Sequence, residues 1–414
     1  MMTTTVDPTL LMAWLQARLP RYLEDLAAFT AVDSGTHNAP GVSAMGEIMA
    51  LRLQALGCDI QRYSCRDQAL GDCIAGTLRG RGTARIVISG HLDTVYPDGT
   101  AAARPLRIED GRAVGPGSCD MKGGLLAGLY ALEALQALGF DDFAEIVFFC
   151  DSDEEINSPC SRDHYLPLSA GADAALVLEA GWPIGHPSHG ALTVARKGGG
   201  RLQLRITGIE AHAGSEFSRG ASAILAMAHK IQALQDLNGR WPGVTVNVGT
   251  VHGGATHNTV AGSAFADVDL RVGRAQDVEA LEAACREIAS RCEVPGTTTT
   301  LLGGIAKPPM ERAASASLVA LAHQEADTLG FSLAEFASGG TSDANYMAAA
   351  GTPVLDGLGP VGAKDHSPEE YLLVDSVVPR TALLARLMVA ITRQRTRDAK
   401  AGPRNHIPWH SSSI

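Results

Sequence analysis

Apolar residues recur at helical spacing across residues 8–30, where Leu10, Leu11, Trp14, Leu15, Leu23, Leu26 and Ala27 fall on the repeating positions. A second helix is predicted over about residues 41–56, closed by Gly57, a residue type that readily takes the left-handed conformation of a helix end. Three short apolar runs then read as buried strands: Arg85 to Ser89, Glu145 to Cys150, and Ala174 to Leu178. Between the first two, residues 123–138 form a helical pattern rich in small residues and ending at Gly139. Strands alternating with helices in this way predict an α/β fold, a mixed but mostly parallel sheet covered by helices on both faces. From about residue 190 the pattern changes. Residues 192–208 and 244–272 alternate as strands, with helices at about 220–237 and 276–291. This β-α-β-β-α-like order predicts an inserted α+β, ferredoxin-like domain. Near residue 304 the α/β character returns, with a helix at 313–329, a strand at 352–356 and a last helix at 376–394. The expected organisation is therefore a discontinuous α/β domain in segments 1–193 and 309–396, an insert over 194–308, and a polar tail over 397–414.

Length agrees with that division, since 414 residues exceed what a single core usually serves. A formal charge of −11 with no Lys/Arg-rich stripe argues against a nucleic-acid partner. No run of about 18 apolar residues occurs, so no membrane span is expected. The first residues, Met1 to Asp7, have neither a basic nor an apolar export region, and the expected location is the cytoplasm. The eight cysteines lack CxxC spacing and in that compartment are expected to be reduced thiols.

The candidate chemistry sits just past the apolar strands, where open α/β sheets bind ligands. His91-Leu92-Asp93 ends the first run, and residues two apart on a strand point to one side. Gly115-Pro-Gly-Ser-Cys-Asp120-Met-Lys-Gly-Gly124 is a glycine-rich loop that places a carboxylate at a helix start. Its spacing fits neither a P-loop nor a dinucleotide fingerprint. Asp153-Glu154-Glu155 follows the second run, and Glu179 the third. As a surface charge run this cluster would be unremarkable; behind buried strands, like charges repel unless cations neutralise them. Lys364-Asp365-His366-Ser367 adds a second histidine late in the chain. Two histidines and several carboxylates are a donor set for zinc or another divalent ion.

Gly90-His-Leu-Asp-Thr-Val95, the Asp120 loop and Asp153-Glu-Glu155 together resemble the co-catalytic dizinc family of glutamate carboxypeptidases, aminoacylases and succinyl-diaminopimelate desuccinylases, over residues 20–395. The glutamate carboxypeptidase branch is the nearest in pattern. The resemblance implies two Zn²⁺ per subunit, replaceable by Mn²⁺ or Co²⁺. His91 and Glu179 would ligate one ion and Glu155 and His366 the other, with Asp120 bridging them across a cis peptide to Met121. Asp93 would orient His91, and Glu154 would act as general base on the attacking water. In the insert, Gly208-Ile-Glu-Ala-His212-Ala-Gly214 resembles a lid motif whose histidine serves the partner subunit's site, which implies a homodimer formed through that domain. Asn258 and Arg271 match substrate-carboxylate positions, and Gly340 and Thr341 match a glycine-rich substrate loop. Lys307 stands where the glutamate carboxypeptidases carry an arginine, so strict glutamate specificity is weakened.

The function these features imply is hydrolysis of an amide bond, releasing an amino acid, glutamate or aspartate foremost, from a peptidyl or acyl partner. The alternatives are an N-acyl amino acid deacylase with another leaving amino acid, a single-metal Mg²⁺ or Mn²⁺ hydrolase, and a non-catalytic binding protein on the same fold.

Overall fold

The computed structural model describes residues 5–401. They form two compact units, one built from the chain up to Leu192, Ala316–Glu335 and the chain from Thr352 onward, the other from Thr193–Ser315 and Phe336–Gly351. Pattern alone assigned residues 336–351 to the returning α/β segment. Specific bonds draw them into the second unit: Asn345 Nδ2 donates to the carbonyls of Lys197 and Pro308, and Lys197 N–H donates to the Ser338 carbonyl.

The first unit is centred on a six-stranded sheet in the order Asp59–Tyr63, Cys73–Arg79, Glu145–Asp151, Arg85–His91, Ala174–Val177, Val354–Leu355. The last four strands are parallel and the first two are antiparallel additions at one edge. Strand Arg85–His91 lies between Glu145–Asp151 and Ala174–Val177, with His91 opposite Asp151 and Ser89 opposite Val177. The chain therefore leaves three neighbouring strands at the same end, delivering His91, Glu154–Glu155 and Glu179 to one place.

Helix Lys122–Ala137 is buried on nearly every side, as its lack of a polar stripe requires. It packs against the last helix, Val374–Ala401. The glycines at its start have a steric cause: a Cβ on Gly124 would stand 2.0 Å from the Leu178 carbonyl oxygen, so only glycine lets the helix approach the strand that leads to Glu179.

Three expectations need correction here. The single helical pattern over residues 8–30 is two helices, Pro8–Gln16 and Leu19–Thr30. Pro20, which has no N–H to give, is tolerated in the first turn of the second helix but not inside a continuous one. The last helix runs on to Ala401, so the start of the expected tail is helical, and residues 402–414 lie outside the described residues. Cys65 and Cys160 form a disulfide, with Cα atoms 5.6 Å apart and a sequence separation of 95, whereas reduced thiols were expected throughout. A pairing over that separation leaves no spacing signature. The remaining cysteines are free thiols, all buried but Cys292.

The second unit has the strand–helix order βαββαβ. Its four-stranded sheet runs Thr245–Gly253, Ser263–Val272, Gly198–Thr207, Thr298–Lys307, antiparallel throughout, which is the ferredoxin-like arrangement. Burial along Ser263–Val272 alternates strictly, as expected of a sheet packed on one face. The inward residues, including Leu202, Leu204, Val268 and Leu270, form a core with Met227 of helix Ala223–Gln235 and Leu281 of helix Val278–Ser290. Truncating one of these, for instance Leu281 to alanine, costs about 2–5 kcal/mol. Among the described residues no helix is long and apolar enough to cross a membrane.

Candidate metal centre

His91 is the last residue of its strand and is fully enclosed. Its Nε2 lies 2.9 Å from Asp120 Oδ1 and 4.0 Å from Glu179 Oε1. The other ring nitrogen stands 3.3 Å from Asp93 Oδ1 and 3.0 Å from the Asp93 carbonyl. Asp93 is itself held by the Thr36 hydroxyl at 2.7 Å and the Glu155 N–H at 3.3 Å. A histidine oriented through its far nitrogen by a carboxylate is the usual arrangement of a metal-ligating imidazole.

Asp120 ends the glycine-rich loop, and the peptide bond to Met121 is cis. Its second oxygen, Oδ2, lies 3.3 Å from His366 Nε2, which in turn lies 3.1 Å from Glu155 Oε2. Two clusters of donor atoms result, His91–Asp120–Glu179 and Asp120–Glu155–His366, and Asp120 belongs to both. His366 occupies the left-handed backbone region at φ 60°, uncommon for a residue with a side chain. The turn is fixed by the Ser367 hydroxyl, which donates to the Lys364 carbonyl at 2.7 Å.

Glu154 and Glu155 share a single 3₁₀ turn, Glu154–Ile156, directly after strand Glu145–Asp151. The third acid of that run has a different task. Asp153 is fully buried and accepts from the Ser161 hydroxyl at 2.5 Å and from the Cys160 N–H at 2.5 Å, so it ties down the loop that follows.

The electrostatics of the site favour a cation. Burial, reinforced by Asp120, pushes the Glu155 carboxyl up to about 8. Burial would raise Asp120 too, but hydrogen bonds with His366 and His91 hold it below the usual carboxylate range. Asp120 and Glu155 together push His366 up to about 11. Burial works against a charge on His91, yet Asp120 and Asp93 still hold the ring above its ordinary value. The site thus draws protons onto its imidazoles, and the same field would draw divalent cations. Glu155 Oε1 is buried and has no hydrogen-bond partner among the described residues. An orphaned carboxylate oxygen costs a few kcal/mol unless something occupies its lone pairs, and a cation does so. The donor set and this orphan oxygen fit a metal pair.

The candidates of the second unit form two local groups. His212 lies on the two-residue strand Ala211–His212, opposite Thr259. Its Nδ1 accepts the N–H groups of Gly214 and Ser215, both at 3.1 Å. The neutral ring must then carry its proton on Nε2 and present a donor. Asn258 is close by, its carbonyl accepting from Ala213 N–H at 2.9 Å. Arg271 and Lys307 are both register partners of Gly199, and a Cβ on Gly199 would meet Thr341 and Arg271 at 2.9 and 3.2 Å. Arg271 is partly exposed and is braced by Asp269 at 2.9 and 3.1 Å. Gly340 N–H is bound by the Ser338 hydroxyl at 3.0 Å. Lys307 departs from expectation: it is fully buried, its ammonium lies 3.3 Å from Asp343, and it sits over the Tyr346 ring. That is a buried ion pair rather than an open charge offered to a substrate.

Glu370, Tyr96 and Thr36 touch the metal-ligand segments and were not picked out by pattern. Glu370 follows His366 by four residues, a weak signal, and its bonding to amides some 250 residues earlier in the chain is invisible in one dimension.

Comparison with known proteins agrees with this geometry. The chain is 28% identical over 379 residues to carboxypeptidase G2 of Pseudomonas sp. strain RS-16, covering 89% of each. It is 27% identical over 360 residues to succinyl-diaminopimelate desuccinylase of Stenotrophomonas maltophilia strain R551-3, covering 82% of this chain and 92% of the relative. In fold it resembles a tripeptidase from Staphylococcus aureus, with a TM-score of 0.75 at 21% identity over 91% of this chain and 99% of that one. A metallo-carboxypeptidase from Sulfolobus solfataricus gives the same TM-score at 17% identity over 90% and 99%. The model of peptidase family M20/M25/M40 matches residues 87–390, and this chain belongs to that family of hydrolytic enzymes.

Proposed function

We propose that this hydrolase uses two zinc ions to cleave an amide bond, releasing an amino acid, with glutamate or aspartate foremost, from a peptidyl or acyl partner. The observation that carries the reading is the shared carboxylate: Asp120 turns one oxygen to His91 and the other to His366, at 2.9 and 3.3 Å. His91, Asp120 and Glu179 would hold one ion, and Asp120, Glu155 and His366 the other. Bound there, the ions would supply Lewis acidity at the scissile carbonyl and a water of lowered pKa.

The chain's own residues would do the rest. Asp93 holds His91 in orientation. Glu154 accepts the proton of the attacking water and passes it to the departing amine. His212 presents its Nε2–H to a developing oxyanion, a role supported by the amide bonds that fix its Nδ1 as acceptor. Arg271, with Gly340 and Thr341, would bind the substrate carboxylate, and Asn258, beside His212 at the other end of strand Ser263–Val272, would reach it from the partner subunit. Lys307 is left out of that role because Asp343 engages it. With Lys307 engaged, selectivity for glutamate is looser, which favours N-acyl amino acid deacylation as the second reading. The names of the relatives, a carboxypeptidase, a desuccinylase and an N-acetyl-L-citrulline deacetylase of Xanthomonas campestris, span the same range of leaving groups.

A homodimer through the second unit is supported by its exposed apolar side chains, Phe217, Ile224, Leu225 and Val251. It is supported also by strand Thr245–Gly253, which among the described residues has an unpaired edge. The Cys65–Cys160 bond favours an oxidising compartment and weighs against the cytoplasm.

The test is hydrolysis of a panel of N-acyl and peptidyl amino acids, with metal counted on the same sample. Two metal equivalents and chelator-sensitive release of glutamate or aspartate are expected. Release of other amino acids instead would move the enzyme to the deacylases. Activity that survives complete removal of metal would end the proposal.

A further inference from the structure

Glu370 has no role in the scheme above, yet it sits at the junction of the two ligand-bearing segments. It is 1% exposed. Oε1 accepts the N–H groups of Cys119 at 2.8 Å and Asp120 at 3.0 Å. Oε2 accepts the N–H of Gly117 at 2.8 Å and the hydroxyl of Tyr96 at 2.7 Å. One carboxylate thus gathers three amides of the loop that ends in Asp120. In its absence those N–H groups would be buried donors without an acceptor, each costing more than the bond itself contributes.

The same residue is anchored on the other side to the turn that carries His366. Glu370 N–H donates to the Ser367 carbonyl at 3.3 Å, and the Tyr96 hydroxyl stands 2.9 Å from that carbonyl. Arg104 stacks over the Tyr96 ring at 4.6 Å and directs a guanidinium N–H to the Ser367 carbonyl at 3.4 Å. The Glu370 carbonyl also accepts from Gly115 N–H at 3.2 Å. Asp120 and His366 come from segments far apart in sequence, and these bonds span the gap between them. A carboxylate is the one side chain that can do this, because it offers two acceptor oxygens and no donor to oppose the amides.

We propose that Glu370, steadied by Tyr96, is a positioning residue that locks the Asp120 loop against the His366 turn and so sets the spacing of the two ligand groups that share Asp120. The proposal rests on the two-metal reading. A glutamine at 370 would keep the shape but turn an NH₂ toward amide or hydroxyl donors, which opens one side of the lock. Tyr96→Phe would leave the three amide bonds intact and remove the hydroxyl that joins Glu370 Oε2 to the Ser367 carbonyl.

The experiment is zinc affinity of the full chain, measured by competition with a chromophoric chelator, together with metal content and thermal unfolding of the metal-free proteins. Glu370→Gln is expected to weaken binding of at least one metal equivalent by about 10–100-fold, the range found when groups that orient metal ligands are removed. Tyr96→Phe is expected to weaken the same equivalent by a smaller factor. If wild type binds two equivalents and both variants match its affinity, the proposal is wrong and the two-metal reading stands. A lower melting temperature with unchanged affinity overturns the proposal equally, since Glu370 would then serve stability alone. Should Glu370→Gln fail to fold, Tyr96→Phe decides by its affinity. Wild-type protein that binds fewer than two equivalents overturns the reading and the proposal together.

Discussion

The two units put polar residues to work in opposite ways. In the first, parallel strands end side by side, and their next residues converge: His91, Glu155 and Glu179, joined by Asp120 and His366. The charges are packed together and mostly enclosed, and Glu155 leaves an oxygen with no protein partner among the described residues. In the second, an antiparallel sheet buries one face, and its candidate residues other than Lys307 keep some exposure to solvent. His212 is satisfied by its own turn, and Arg271 by Asp269 two residues away. Unsatisfied burial is costly and therefore points to an absent ligand. Satisfied exposure tells only which donors a residue has left to offer. The chemistry is legible in the first unit from energetics alone, while the second supplies groups whose purpose depends on what they meet.

That contrast can be broken by experiment, beginning with the largest effect. Glu154→Ala is expected to keep the fold and both metal equivalents but lower kcat by about 10²–10⁴-fold, the usual contribution of a general base. Near-normal turnover in metal-replete protein would remove Glu154 from the chemistry. His212→Ala is expected to lower kcat by about 10²–10³-fold, as for loss of an oxyanion donor, with metal content unchanged. Mixed dimers with the Glu154 variant should regain activity; if none ever does, the histidine does not serve a partner subunit. Arg271→Ala is expected to have the smallest effect, a rise in KM of about 10–150-fold with kcat little changed, matching a lost bond to a charged group of about 1.5–3 kcal/mol. A fall in kcat with KM unaltered would show that Arg271 acts on the reacting centre instead of the carboxylate.

Much of the fold could be read from the chain because its causes are local. Short apolar runs marked the buried strands, and alternation within residues 192–208 and 244–272 marked half-buried ones. The candidate ligands were marked for a similar reason: His91, Asp120 and Glu179 each follow directly on an apolar run or a glycine-rich loop, and Glu155 comes a few residues past one, where charge needs an explanation.

What the chain could not disclose are relations between distant segments. The cystine joins positions 95 residues apart, and Glu370 grips amides some 250 residues away. Lys307 reads as a substrate cation until its burial against Asp343 is seen, and Asp153 reads only as a neighbour of Glu154 and Glu155 until its bonds to Ser161 are seen. In each case the side chain's character comes from the sequence. Its task is set by the partner that tertiary structure brings within hydrogen-bond reach, because burial makes that partner decisive.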